Sequence, residues 1–256
     1  MSPYLAAMVG VGILMVSTWL VSLVLRDASI VDLVWGFGFV VVAWVTFFWS
    51  GLDTTTNRQI ILLALVTAWG LRLSVYLSWR NIGKGEDFRY QAMRKHHGTR
   101  FPLISLATVF GLQGVLMWVV SLPVQAGMQT DRSLGVLAGA GVVFWVVGIF
   151  FETVGDGQLA SFKADPANAG QVMDKGLWRY TRHPNYFGDF MVWWGLYLVG
   201  ADGGAWWTLV GPAVMTALLM RYSGAGLLEK SIGNRRPGYD DYVRRTNAFF
   251  PGPPKS

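Results

Sequence analysis

Between Arg179 and Asp189 the chain reads Arg-Tyr-Thr-Arg-His-Pro-Asn-Tyr-Phe-Gly-Asp, and an apolar run follows at once. Polar groups crowded at the mouth of a hydrophobic segment cost free energy unless they bind something. Pro184 suits the first turn of a helix, where its missing N–H costs nothing. The free N–H groups of such a turn, with the helix dipole, favour negative charge. Arg179, Arg182 and His183 add donors that grip phosphates. Asn185 and Asp189, one helical turn apart, suit hydrogen bonds to an amide or a sugar hydroxyl. The chemistry these residues fit is capture of an anionic, planar ligand. Anchoring to lipid asks for positive charge, but not for an asparagine and an aspartate at helical spacing.

A second segment, Arg80 to Tyr90, offers Gly83 and Gly85 for close backbone approach, with Arg80 and Lys84 as further phosphate donors. It matches neither the Gly-x-Gly-x-x-Gly dinucleotide fingerprint nor a Walker loop, so a nucleotide held here is held in a non-Rossmann way. Other charges sit in or beside apolar runs, where they are expensive and therefore informative. They are Asp32, Arg72, Glu152 with Asp156 four residues later, Arg221 and Glu229. Each has a plain reading beside the functional one. Arg72 can pair with Asp32 or snorkel, Glu152 and Asp156 can meet interface water, and Arg179 and Arg182 can contact lipid phosphates. Metal and nucleophile chemistry find little support. The chain has no cysteine, its histidines are His96, His97 and His183, and neither His-Glu-x-x-His nor Gly-x-Ser-x-Gly occurs.

The elements that must position these groups are membrane helices. Of 256 residues, 53% are hydrophobic and only 14% charged, against about a quarter charged in a soluble domain. Seven apolar segments are predicted, at roughly Tyr4–Leu25, Ile30–Ser50, Ile60–Trp79, Phe101–Leu122, Ser133–Val154, Tyr186–Val199 and Ala205–Met220, each near the ~20 residues a bilayer crossing needs. The first has no basic region ahead of it and no small-residue cleavage site, so it reads as a retained helix. All 21 lysines and arginines except Arg58, Arg72 and Arg132 fall on one side of this arrangement. The positive-inside rule then places the N-terminus outside and the C-terminus in the cytoplasm, which suits a bacterial inner membrane or an endoplasmic reticulum. The net charge of +6 is accordingly an orientation signal and a contact with anionic membrane lipids, not a nucleic-acid footprint. Three long polar stretches, 80–100, 155–185 and the tail from about 221, share the cytoplasmic side. The expectation is a single all-α integral membrane domain over residues 1–256, without internal repeats, its site built by cytoplasmic loops.

The string from Gly176 to Asp189 resembles the C-terminal signature of the steroid 5α-reductase family, and more closely that family's bacterial DUF1295 branch. The Arg80–Tyr90 segment, the run Ile30-Val31-Asp32-Leu33-Val34-Trp35-Gly36 and the ending Asn247-Ala248-Phe249-Phe250-Pro251 are similar to that branch too. The resemblance implies a seven-helix membrane reductase, its C-terminal reductase region at about 100–256. It implies use of NADPH to reduce the 4,5 double bond of a 3-oxo-Δ4-steroid or a related lipid enone. It also implies cofactor contacts at Asp156, Lys163, Arg179, Tyr180, Arg182, Asn185, Asp189 and Arg221, with Glu152 where mammalian members have asparagine and Lys163 where they have arginine. In those members a glutamate on the second helix and a tyrosine on the third hold the steroid 3-oxygen. Asp32 is the nearest acid here, one methylene shorter. Tyr76 is the candidate tyrosine, although an ungapped match through Arg72 puts Trp69 at that place.

The shorter Arg-His-Pro-x-Tyr element is shared with isoprenylcysteine carboxyl methyltransferases and sterol C14 reductases, so S-adenosylmethionine is the competing cofactor. A non-catalytic sterol or lipid binder is a third reading. In each, the hydrophobic partner enters from the bilayer.

Overall fold

The structure, a computed structural model, describes residues 1–222 and 238–255; Glu229 lies outside the described residues. The chain divides into two compact units, Met1–Val136 with Val199–Gly211, and Leu137–Leu198 with Pro212–Ser256. Among the described residues the regular structure is helical. Five stretches are long and apolar enough to cross a membrane: Pro3–Leu25, Ile30–Phe48, Asn57–Asn81, Phe88–Val120 and Val136–Ala164. They coincide with the first five predicted segments and are those of a multi-pass membrane protein.

Beyond them the bounds and regularity of the segments differ from the expectation. The sixth segment is longer than predicted, a 19-residue helix from Pro184 to Asp202 that carries two carboxylates. The seventh is broken into a 3-10 turn at Trp206–Leu209, a helix at Val210–Ala217 and a π-helical turn at Leu218–Tyr222. Neither meets the measure of length and apolarity that the first five meet. Two stretches predicted as loops are in good part helical. A helix at Phe88–His97 fills the second half of 80–100, and the helix from Val136 runs to Ala164, well past Val154.

In the first unit α1 (Pro3–Leu25) and α2 (Ile30–Phe48) are joined by a tight turn that Arg26 enters in the left-handed region, φ 54°. α2 crosses α3 (Asn57–Asn81) at a pair of glycines. A Cβ on Gly70 would fall 2.5 Å from the Gly36 carbonyl oxygen, so the two backbones touch there. Phe39 and Trp69, both fully buried, meet nearby edge to face at 5.5 Å. α3 opens on a reciprocal cap between Thr56 and Gln59. α4 (Phe88–His97), α5 (Phe101–Ser105), a π-helical turn at Leu106–Gly111, α6 (Leu112–Val120) and α7 (Leu122–Gly127) complete the order.

Arg58, in the first turn of α3, is wholly buried. Its guanidinium donates to the carbonyl oxygens of Val199 at 2.6 Å, Ser133 at 2.9 Å and Arg132 at 3.3 Å, and to Asp202 Oδ2 at 3.0 Å. The Gly135 N–H donates to the same carboxylate oxygen at 2.8 Å. A buried cation persists only when its charge is matched in this way.

The second unit is organised by α8 (Val136–Ala164) and α9 (Pro184–Asp202). Glycines recur seven apart on both: Gly141, Gly148 and Gly155 on α8, Gly188 and Gly195 on α9. Seven residues are about two turns, so each set lines one face. A Cβ on Gly188 would lie 2.5 Å from the Glu152 backbone nitrogen and 2.6 Å from the Gly148 oxygen, and one on Gly195 would lie 2.6 Å from the Gly141 oxygen. Main chain meets main chain along this seam, and no rotamer relieves an added methyl. Gly188→Ala is expected to cost about 1–3 kcal/mol, lowering the midpoint of thermal unfolding in detergent by on the order of 5 °C. Gly139, on α8, faces open space, and Gly139→Ala should leave the midpoint level or raise it. Equal shifts from the two would refute the close crossing.

The outer faces are apolar. Val24, Ile13 and Val143 are 83%, 64% and 60% exposed, a surface that belongs in hydrocarbon rather than water.

Candidate active site

The residues singled out in the sequence divide between the two units, and each group is built by its own local structure. In the first unit Asp32 sits in the opening turn of α2. Between α3 and α4 the chain passes through Gly83 and Gly85, both with positive φ, which a side chain rarely adopts. That turn is pinned to the start of α2. Glu86 Oε1 accepts the Ala28 N–H at 2.8 Å, and the Asp87 N–H donates to Ser29 Oγ at 3.3 Å. Asp87 caps α4 by accepting the Arg89 N–H.

The pinning delivers Arg89 and Tyr90, adjacent in the first turn of α4, to the two oxygens of one carboxylate. Arg89 Nη2 donates to Asp32 Oδ2 at 2.7 Å, and the Tyr90 hydroxyl donates to Asp32 Oδ1 at 2.8 Å. Gln113 Nε2 donates in turn to the Tyr90 oxygen at 3.3 Å. Arg89 is held from behind by Asp87 Oδ1, which accepts from its Nε at 2.8 Å. Tyr90 is buried and Asp32 half-buried. A second clamp lies beside this one: Arg94 grips Glu86 in a bidentate fork, Nε to Oε2 at 3.0 Å and Nη2 to Oε1 at 2.7 Å. Burial pushes the Glu86 carboxyl up, but the Arg94 fork and the Ala28 N–H outweigh it and leave it below the usual carboxylate range. The Asp87 carboxyl is likewise depressed, burial being outweighed by the Arg89 side chain and N–H. Both acids therefore lend their stabilisation above the ordinary carboxylate range and lose it only as pH falls through the lowered values.

Tyr90 was not among the expected residues. Reading 80–100 as loop hid it, although Asp87 followed by helix-forming residues is an N-cap signal. Tyr76 takes a different setting: its ring lies 6.0 Å from that of Trp79, with the guanidiniums of Arg72 and Arg80 at 5.3 and 5.5 Å. Trp69 is core, packed on Phe39. Arg80 and Lys84 are exposed on the α3–α4 connection.

In the second unit Glu152, Asp156 and Lys163 share a face of α8, being four and eleven residues apart. Glu152 and Asp156 are buried and Lys163 exposed. The glycine seam brings α9 alongside, and Asn185 Nδ2 donates to Asp156 Oδ1 at 3.0 Å. Asp189 follows one turn on, half-buried. His183 is buried just ahead of α9 with its ring stacked on Tyr186 at 5.6 Å. Trp178, in the 3-10 turn Gly176–Arg179, is seated by its indole N–H on the Gly155 oxygen at 3.0 Å. Arg179 and Tyr180 are exposed, as are Lys175 and Arg221. Arg182 Nη1 donates to the carbonyl oxygens of Val243 and Thr246 at 3.1 and 2.9 Å. One arm of its fork is thus committed to the protein, where the sequence reading had given it to phosphate.

The family described as "Protein of unknown function (DUF1295)" matches residues 18–246. "Uncharacterized protein C594.04c" of Schizosaccharomyces pombe is 24% identical over 238 residues, covering 80% of this chain and 67% of the fungal one. "Steroid 5-alpha-reductase DET2" of Solanum lycopersicum is 27% identical over 157 residues, covering 59% of this chain and 56% of the plant protein's length. No solved structure matches.

Proposed function

The chain belongs to the DUF1295 family, and from that premise we propose that it is a multi-pass membrane reductase that uses NADPH to reduce the 4,5 double bond of a 3-oxo-Δ4-steroid or a related lipid enone. The similarity to a steroid 5α-reductase supports the class. The observation that carries the chemistry is the Asp32 carboxylate held by both Tyr90 and Arg89.

When bound, a nicotinamide cofactor supplies hydride. Addition of hydride to the β-carbon of an enone drives the π electrons onto the carbonyl oxygen, and a proton then closes the α-carbon. The protein's task is to hold a donor at that oxygen as charge builds there. Tyr90 can turn its proton from Asp32 to the new oxyanion, because Arg89 keeps the carboxylate paired while the hydroxyl is away. Gln113 limits how far the phenol oxygen strays. This makes Tyr90, rather than Tyr76, the partner of Asp32.

The second unit fits a phosphate-bearing group. Arg179, Tyr180, Lys163 and Lys175 are exposed, and the positive end of the α9 dipole at Pro184 favours negative charge. Asp156 and Asn185 are already locked together, a rigid edge for an amide or sugar hydroxyl, with Glu152 and Asp189 on the same two helices and His183 just ahead of the second. Arg221 is a further phosphate donor of this unit in this reading, and Arg80 and Lys84 are candidate phosphate donors within the first unit. Arg182 serves the seat from behind. The helix from Pro184 and the broken segment 206–222 are taken as the sixth and seventh spans, with the C-terminus and the site on the cytoplasmic side. Membrane lipids are the surroundings and the route by which the substrate arrives.

The test is NADPH oxidation by the purified protein with a Δ4-3-ketosteroid, run beside methyl transfer from labelled S-adenosylmethionine. Methyl transfer without NADPH turnover would overturn the reading. Within it, Arg179→Ala is expected to raise KM for NADPH about tenfold, the size of one lost charge-assisted hydrogen bond, and to leave KM for the steroid level. Equal rises in both would count against Arg179 as a phosphate ligand.

A further inference from the structure

The residues that follow the proposed cofactor seat in space come from far along the chain. α10 is Val210–Ala217, and α11, Tyr239–Arg245, is followed by an irregular segment to Lys255. That last stretch binds the segment Trp178–Arg182 almost residue by residue. The Tyr242 hydroxyl donates to the Trp178 oxygen at 2.6 Å, and the Gly252 N–H donates to the Tyr180 oxygen at 3.1 Å. The Thr181 hydroxyl donates to the Phe249 oxygen at 2.8 Å, and the Arg182 N–H donates to the Asn247 oxygen at 2.9 Å. Thr181 Oγ1 also accepts the His183 N–H at 3.3 Å, which ties the same contact to the start of α9. Phe249 and Phe250 set their rings against Phe187 and Phe190 at 5.6–6.3 Å.

We propose that residues 239–255 are a strap that positions Arg179–Asn185 for an anionic nucleotide, with Thr181 as its central positioning residue; the proposal rests on the cofactor reading above. The pattern of contacts separates positioning from mere burial. Thr181 is completely buried, whereas its neighbours Arg179 and Tyr180 keep exposed side chains over a backbone that is fixed beneath them. The strap takes the main chain and leaves those side chains to a ligand. A segment ordered in advance gives up no conformational freedom when the ligand arrives, which is where preorganisation raises affinity.

The experiment uses the full chain in detergent, with Thr181→Val, Thr181→Ser and the milder Tyr242→Phe. Two readouts are followed: hydrogen exchange of amides 178–187, which needs no ligand, and NADPH affinity by cofactor fluorescence with the KM and kcat that accompany it. Thr181→Val is expected to speed exchange at 179–183 about tenfold or more while α1–α3 exchange as before. It should raise Kd for NADPH about tenfold and hold kcat at saturating NADPH within about twofold. Thr181→Ser should restore both, and Tyr242→Phe should move both in the same direction by less. Unchanged exchange in Thr181→Val, no rescue by serine, or a collapse of kcat with Kd intact would each overturn the strap. Wild-type protein that binds no NADPH would instead sink the cofactor reading and the ligand half of this proposal, while the exchange result still decides whether the strap orders the segment.

Discussion

If the proposed reductase reading holds, Tyr90→Phe is expected to lower enone turnover by about 10²–10³-fold, the loss that follows removal of one oxyanion donor, while KM for NADPH stays within about twofold. The size follows from what the substitution leaves in place. The ring still fills its buried position, and Asp32 keeps its 2.7 Å bond from Arg89, so the carboxylate is not stranded. Only the hydroxyl between Asp32 and Gln113 is gone. The loss should therefore appear in kcat with the unfolding midpoint nearly unchanged. Asp32→Asn tests the other partner, and Tyr76→Phe the competing tyrosine. If Tyr76→Phe carries the loss and Tyr90→Phe does not, the Asp32–Tyr90 pairing is a structural clamp and the oxyanion donor lies elsewhere.

Arg58→Met is expected to be the most destabilising single change, at about 3–5 kcal/mol, as for other buried ion pairs that lose one member. The methionine nearly fills the volume but leaves the carbonyl oxygens of Val199, Arg132 and Ser133 and the Asp202 carboxylate without their cation. Asp202→Asn should cost less, because Arg58 retains three carbonyl acceptors and the amide oxygen still accepts the Gly135 N–H. Intrinsic fluorescence melting reads both, with 13 tryptophans as reporters. An unfolding midpoint on the order of 10 °C lower is expected for Arg58→Met. If the aspartate variant falls further, the carbonyl ligands matter less than the charge pair.

Much of this is legible in the sequence. Composition alone announces membrane helices, and five of the seven expected spans are long apolar helices. The Asn185–Asp189 spacing placed a helix at Pro184, and Glu152 with Asp156 placed a carboxylate face on the helix before it. What stayed hidden has a common physical cause. Tyr90 reaches Asp32 across 58 residues of sequence, and nothing local in an exposed-looking basic stretch marks which tyrosine will turn inward. Arg58 reads as an ordinary flanking cation, because its burial depends on Asp202 far downstream. Arg182 reads as a phosphate ligand, because the carbonyls that claim part of it lie beyond residue 240. Hydrophobic period and charge tally report what a residue prefers, whereas these three are decided by which distant backbone ends up beside them. The broken form of the seventh segment was hidden for another reason: its composition is apolar throughout, but its helix changes from 3-10 to α to π over some 17 residues.

The long-range origin of the strap has a consequence in time. Asn247, whose carbonyl receives the Arg182 N–H, follows Arg182 by 65 residues, about 3–13 s of synthesis at ~5–20 residues/s. All five long apolar helices have been synthesised before that interval begins, the last of them ending at Ala164. During it, the segment that carries Arg179 waits without the partners that fix its backbone, and Phe187 and Phe190 wait without their cover. A nascent chain halted in that window has its long helices synthesised and its Arg179–Asn185 segment unfastened.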